Sequence, residues 1–119
     1  MTYVDGYVLP VPAKKLDVYK KMAQKAGKIW KEYGALSYKE CVAEDTRAEF
    51  GVPFAKNMKV KAGETVIFAF VVFKSRAHRD KVNAKVMKDP RLMEGMDMKD
   101  LPFDSKRMVY GGFKSIVEL

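Results

Sequence analysis

Two hydrophobic periods alternate along the chain. Residues 3–9 are rich in Tyr, Val and Leu and run into Pro10 and Pro12, which lack amide donors, so the pattern predicts a first strand ending at the prolines. Over residues 14–33, Leu16, Tyr19, Met22, Ala23, Ala26, Ile29, Trp30 and Tyr33 recur every three or four positions. That spacing gathers them on one face of a helix, with Lys14, Lys21, Lys25 and Lys28 opposite. Gly34 stands where a helix closes in a left-handed residue. Residues 35–43 change to a period of two, setting Leu36, Tyr38, Glu40 and Val42 against Ser37, Lys39 and Cys41, and predict a second strand.

Residues 45–63 carry Gly51, Pro53 and Gly63 without a sustained period and read as a long loop, in which Phe50, Val52, Phe54 and Met58 argue for packing. The unbroken apolar run that ends at Phe73 predicts a central third strand over residues 64–73, covered on both faces. Ser75 is placed to cap a second helix through Ala77, His78, Val82, Val86 and Met87, which Asp89-Pro90 ends, and a short turn is expected over 92–96. A last strand over 107–119 alternates through Val109, Phe113 and Val117. Gly111-Gly112 interrupts it, as a bulge or a close backbone approach.

The order β, α, β, loop, β, α, β predicts an α+β, ferredoxin-like fold: a four-stranded antiparallel sheet with two helices on one face. Two helices leave the other face bare, yet the third strand is apolar on both sides. The expected partner is a second copy of the chain, the two sheets packing face to face as a homodimeric α+β barrel.

Composition narrows the picture. A chain of 119 residues with 48% hydrophobic and 32% charged residues is expected to be a single domain over 1–119. Lys plus Arg number 23 against 15 for Asp plus Glu, a net +8 that attracts anions. Cys41 alone forms no intrachain disulfide, and with one His it supplies no ligand cluster, so no metal and no cofactor are expected and the compartment reads as a reducing cytoplasm. No run approaches the ~20 apolar residues of a membrane span, and the first residues lack a signal pattern, so no membrane role is expected.

Four separated blocks also carry a resemblance. The opening Tyr3-Val4-Asp5-Gly6-Tyr7-Val8-Leu9-Pro10-Val11-Pro12, and Gly34-Ala35-Leu36 with Tyr38 and Glu40-Cys41-Val42, are the first two. The others are Ser75-Arg76-Ala77-His78-Arg79-Asp80 with Val82-Asn83-Ala84-Lys85-Val86-Met87 and Asp89-Pro90-Arg91, then Pro102-Phe103-Asp104 with Arg107-Met108-Val109-Tyr110-Gly111-Gly112-Phe113. In this order they resemble the YbaA-like family, small bacterial proteins of unknown function in the dimeric α+β barrel superfamily. Departures fall in the middle loop and at residues 94–99. The resemblance implies a fold and a dimer but no mechanism. The wider superfamily includes cofactor-independent monooxygenases and small-ligand binders, and one scaffold hosts many sites.

Candidate chemistry is sparse. His78 has the one side chain that titrates near neutrality unaided, and Asp5 is a carboxylate inside an apolar strand beside Tyr3 and Tyr7, so these two are the catalytic candidates if the protein is an enzyme. Glu40 shares a strand face with Tyr38, and Tyr110 and Arg107 of the last strand complete a ligand-lining set of Tyr3, Tyr7, Tyr38, Glu40, Arg107 and Tyr110. One of Cys41 and Val42 is expected to face the core. Met93, Met96 and Met98 read as adaptable cover for a pocket mouth. The expected activity is binding of a small anionic or phenolic molecule in a cleft between sheet and helices. The alternatives are a cofactor-independent monooxygenase or isomerase, and RNA or another acidic polymer held by the lysines of helix one. Nucleic acid is disfavoured, because Tyr19, Trp30 and Tyr33 fall on the apolar side of that helix.

Overall fold

Pro10 and Pro12, expected to end the first strand, lie within it. In the computed structural model, which describes residues 1–47, 49–97 and 99–119, β1 spans Tyr3–Pro12 and pairs along its whole length with β3, Glu64–Phe73. The Ala13 amide donates to the Gly63 carbonyl at 2.8 Å, so odd positions of β1 turn their amides toward β3 and even positions toward the other side. There β4, Val109–Lys114, pairs with β1 only as far as Val8. Both prolines therefore sit where no strand carbonyl among the described residues needs a donor.

β2, Ser37–Val42, pairs with the far edge of β3, giving the order β2-β3-β1-β4 with every neighbouring pair antiparallel. The helices are α1 (Leu16–Glu32), the single turn α2 (Phe54–Asn57) inside the long loop, and α3 (Arg76–Lys88). α1 starts after a 3-10 turn over Ala13–Lys15 and stops at Gly34, whose φ of 114° suits glycine. The Ser75 hydroxyl caps α3 by accepting from the His78 amide at 3.1 Å, and extended Asp89 before Pro90 ends the helix. β4 is shorter than expected for a simple reason. β1, the strand it pairs with, starts at Tyr3, and Tyr3 stands opposite Lys114.

α1 and α3 cover one face of the sheet. Leu9, Val11, Ile67 and Ala69 meet Tyr19 and Ala23, while Val71 and Phe73 meet Ile29, Val82 and Val86. The molecule is 20 Å thick in its short dimension, the depth of two layers about 10 Å apart. The opposite face presents Val4, Val8, Phe68, Phe70, Val72, Val109 and Phe113 and, among the described residues, has no helix layer. α2 approaches it, setting Phe54 edge-on to Phe68 with centroids 6.4 Å apart. Met58 is buried but Phe50 and Val52 are exposed, so the loop packs through its second half alone. Cys41 and Val42 are both exposed, contrary to expectation, because β2 is an edge strand and neither reaches the core.

Gly111-Gly112 makes no bulge, since the β1–β4 register runs through it unbroken. It is a close approach: a β-carbon on Gly112 would collide with the Arg79 guanidinium and the Tyr3 hydroxyl. Arg107 lies not in β4 but in a 3-10 turn, Ser105–Arg107, and grips the start of β3. Its guanidinium donates to both Glu64 oxygens at 2.7 and 2.9 Å and to the Lys59 carbonyl at 3.1 Å. These bonds, with the Lys61 amide, hold the Glu64 carboxyl down from 4.5 to about 2. A depressed carboxyl stabilises the fold above its unfolded value and loses that contribution as pH falls toward the folded one. Thermal melts between pH 4.5 and about 2 should therefore fall more steeply for the wild type than for Glu64→Gln. Parallel curves would show that the clamp adds nothing.

Candidate functional site

The sheet register builds the site. On the helix-covered face, Glu40 of β2 stands opposite Ala69 of β3, Ala69 opposite Tyr7 of β1, and Tyr7 opposite Tyr110 of β4. The adjacent row is Tyr38, Val71, Asp5 and Gly112. Ala69 is one methyl group between two long side chains, and the hollow above it is a cavity of about 480 Å³. Glu40, Tyr38, Tyr7 and Tyr110 form its sheet-side walls. α1 roofs it with Tyr19, Met22 and Trp30, α3 adds Asn83 and Met87, and Phe103 and Met108 close the β4 end. A wider groove of about 1040 Å³ lies on the outer side of α1 along β2 and shares Tyr19, Tyr38 and Glu40 with the cavity. It is open to solvent, with exposed Lys20, Lys28 and Lys31 on its rim, so the smaller, more enclosed hollow is the candidate site.

Its polar groups are tied in two sets. Glu40 accepts from the Tyr19 hydroxyl at 2.7 Å through one oxygen and from the Tyr38 hydroxyl through the other. Asp5, buried, accepts from Arg79 Nε at 3.1 Å and from Asn83 Nδ2 at 3.3 Å, while Asn83 Oδ1 accepts from Trp30 Nε1 at 2.9 Å. Tyr7 stacks on Tyr110 with centroids 5.8 Å apart. Burial, then the charge of Asp5, pushes the Tyr7 phenol up from 10.0 to about 12. Burial and the Glu40 carboxylate drive the Tyr19 and Tyr38 phenols higher still. At neutral pH the three phenols are hydrogen-bond donors.

Of the expected lining set, Tyr7, Tyr38, Glu40 and Tyr110 meet in the cavity. Tyr3 does not line it; the ring lies under the Arg79 guanidinium, 4.9 Å from its centroid, and the hydroxyl accepts from Arg79 at 3.2 Å. Arg107 is held by Glu64, away from the cavity. His78 and Asp5 are not bonded to each other. The His78 ring accepts from the Lys74 amide at 3.0 Å, packs edge-on to Phe73 and points its Nε2 toward Gly34, outside the cavity lining. Met93 is exposed and Met96 half-buried, neither lining the cavity, and Met98 lies outside the described residues.

Tyr19, Trp30 and Asn83 are the site residues that sequence reasoning missed. The first two sit in the apolar stripe of α1, where only a hydroxyl or indole N–H needing a buried partner hints at more than packing. Asn83 follows Val82 on α3, and nothing in its spacing marks it. The lysines of α1 are mostly exposed, whereas Tyr19 is buried and Trp30 half-buried beneath them. Among the described residues no cluster of three or more His, Cys, Asp or Glu could hold a metal, and no helix is long and apolar enough to cross a membrane.

Fold and site together define an α+β protein with one open four-stranded antiparallel sheet, the two long helices on one face and a tyrosine-lined cavity between the layers. The chain belongs to the family described as "Protein of unknown function (DUF1428)", whose model matches residues 2–105. It is 44% identical over 118 residues to "Uncharacterized protein YbaA" of Escherichia coli (strain K12), covering 99% of each chain, and equally to the protein of that name from Shigella flexneri. Among solved structures, "De novo designed protein Foldit4" aligns over 97% of this chain and 99% of its own at a TM-score of 0.46 and 9% identity, too slight a likeness to bear on function.

The raised phenols give a test of this geometry. A folded-state pKa above the unfolded 10.0 contributes stability that is complete below pH 10 and lost as pH climbs through about 12. Ultraviolet titration of the folded protein should therefore show part of the tyrosine population ionising only with alkaline unfolding. Glu40→Gln should bring two of those phenols down. Ionisation of every tyrosine near pH 10 in a folded chain would contradict the buried network.

Proposed function

We propose that this chain is a ferredoxin-like subunit that pairs with a second copy, open face to open face, as a dimeric α+β barrel in the cytoplasm, and that each subunit binds one small, uncharged aromatic molecule of phenolic type. The strand order and antiparallel pairing support the topology. Phe68, Val109 and Phe113 are 45%, 58% and 63% exposed on one face of one sheet, and contiguous apolar surface of this kind marks an interface. The exposed free thiol of Cys41 fits a reducing compartment.

The Ala69 hollow carries the ligand reading. Its walls are aromatic rings and thioethers, and its polar groups are neutral donors plus one carboxylate, Glu40. An anionic ligand, the other expected class, would meet Glu40 in the wall and Asp5 behind Asn83. Arg107, the expected anion anchor, is already bound to Glu64. The reading assigns no proton transfer to His78, which sits outside the lining, so it favours binding over the isomerase or oxygenase alternative.

Trp30 is the single Trp in the chain and lines the cavity, so its fluorescence reports occupancy. Phenol, indole and naphthol should quench or shift it saturably in the wild type. Ala69→Leu, which fills the gap between Glu40 and Tyr7, should weaken that response about tenfold or more while costing no more than the ~1–3 kcal/mol of an overpacked core. No saturable response to any of the three, or an unchanged one in Ala69→Leu, would remove the ligand reading. In sedimentation, the wild type should be a dimer at micromolar concentration, and Phe68→Glu should give a folded monomer. A wild-type monomer would remove the barrel.

A further inference from the structure

We propose that the cavity selects a single aromatic ring carrying a hydroxyl at one end and an uncharged carbonyl at the opposite end, a para-hydroxyaryl ketone, aldehyde or amide, with Glu40 accepting from the hydroxyl and Asn83 and Tyr7 donating to the carbonyl. This rests on the reading of the cavity as an aromatic-ligand site and adds its polarity.

Glu40 and Tyr7 belong to one transverse row with only Ala69 between them, so their α-carbons are two strand spacings apart, about 10 Å. At the Glu40 end the character is that of an acceptor. Each carboxylate oxygen takes one tyrosine hydroxyl, and since a carboxylate offers about four lone-pair positions, roughly two stay available. Tyr19 and Tyr38 have committed their protons to Glu40, so the hydrogen-bond capacity left there is for a donor.

At the other end the character is that of a donor. The Asn83 amide has its orientation fixed from both sides, because Oδ1 accepts from the Trp30 indole and Nδ2 donates to Asp5. Flipping the amide would set its NH₂ against the indole N–H and its oxygen against the Asp5 carboxylate, two mismatches at once. Asp5 is itself held by Arg79, so the strut is rigid. An amide nitrogen carries two hydrogens, and only one of those on Asn83 is used by a described residue. The Tyr7 hydroxyl, on the same side of the hollow, makes no side-chain hydrogen bond among the described residues, and its raised pKa keeps it protonated. A neutral carbonyl oxygen satisfies both donors. A carboxylate there would also face the charge of Asp5.

The test uses the full chain, Trp30 fluorescence and four probes: para-hydroxyacetophenone, acetophenone, phenol and para-hydroxybenzoate. The first should bind at least about tenfold more tightly than each of the others, because a site built to hydrogen-bond a group rejects the analogue that lacks it. Glu40→Gln should erase its advantage over acetophenone, and Tyr7→Phe, a conservative change, should reduce its advantage over phenol. Asn83→Leu should do the same where circular dichroism shows it folded. Equal affinity for the first three probes, or tightest binding of the benzoate, overturns the polarity assignment. If indole or naphthol binds and none of the four probes does, the assignment fails and the aromatic cavity stands; if nothing binds, both fall.

Discussion

One buried carboxylate ties the two layers of this molecule together. Asp5 rises from near the start of β1 into the helix layer, where Arg79 and Asn83 of α3 both bond to it, and Asn83 passes the connection on to Trp30 of α1. A buried charge is costly unless it is paired and hydrogen-bonded, and here its partners come from a single helix at positions one turn apart. The consequence is geometric. α3 is pinned at one depth above the sheet, α1 is pinned to α3, and Gly112 of β4 must lack a side chain so that Arg79 and Tyr3 fit beneath. Apolar packing alone would let the helices settle onto Ala69. The polar struts, with Glu40 and its two tyrosines on the other flank, leave a hollow there.

Small residues complete that arrangement. Gly27, in the middle of α1, lies so close to the Tyr38 ring that a β-carbon would sit 2.7 Å from it, so the helix can bring its backbone over β2 only because that position is glycine. Tyr38 is thereby laid flat under α1 with its hydroxyl on Glu40, and its ring lies 6.1 Å from that of Trp30. Glycine in a helix interior weakens the helix by roughly 0.5–1 kcal/mol relative to Ala. A glycine that opens space for an aromatic wall is more readily understood as part of the site than as part of the core.

Much of this was legible in the residues, and what was not has a physical reason. The apolar run of β3, the period of α1, the Ser75 cap and the Asp89-Pro90 stop are local signals, and each element lies where its signal placed it. Pro10 and Pro12 misled because whether a missing amide matters depends on which neighbour it faces, a fact of sheet order rather than of local sequence. Tyr7, Tyr38, Glu40 and Tyr110 were recognisable as polar positions in strands, and the sheet gathers all four. Residue type alone places Arg107 in the same cluster, yet its partner Glu64 lies 43 positions away. Asn83 was invisible because its importance comes from Trp30 and Asp5, which arrive from two other elements.

The two faces of β3 explain how one small chain carries a cavity on one side of its sheet and an exposed apolar surface on the other. Ile67, Ala69, Val71 and Phe73 are all buried under the helices, and shortening Ile67, Val71 or Phe73 to Ala costs packing on that side only. The even positions of β3 include Phe68 and Phe70 on the other side, Phe68 lying edge-on to Phe54 and tilted against Phe70. Because β3 is apolar on both faces, hydrophobicity alone does not set its register; side-chain size tells the faces apart, since a one-residue shift would put Phe68 or Phe70 under the helices in place of Ala69. The register given by pairing with β1 and β2 keeps Ala69, and no larger side chain, between Glu40 and Tyr7.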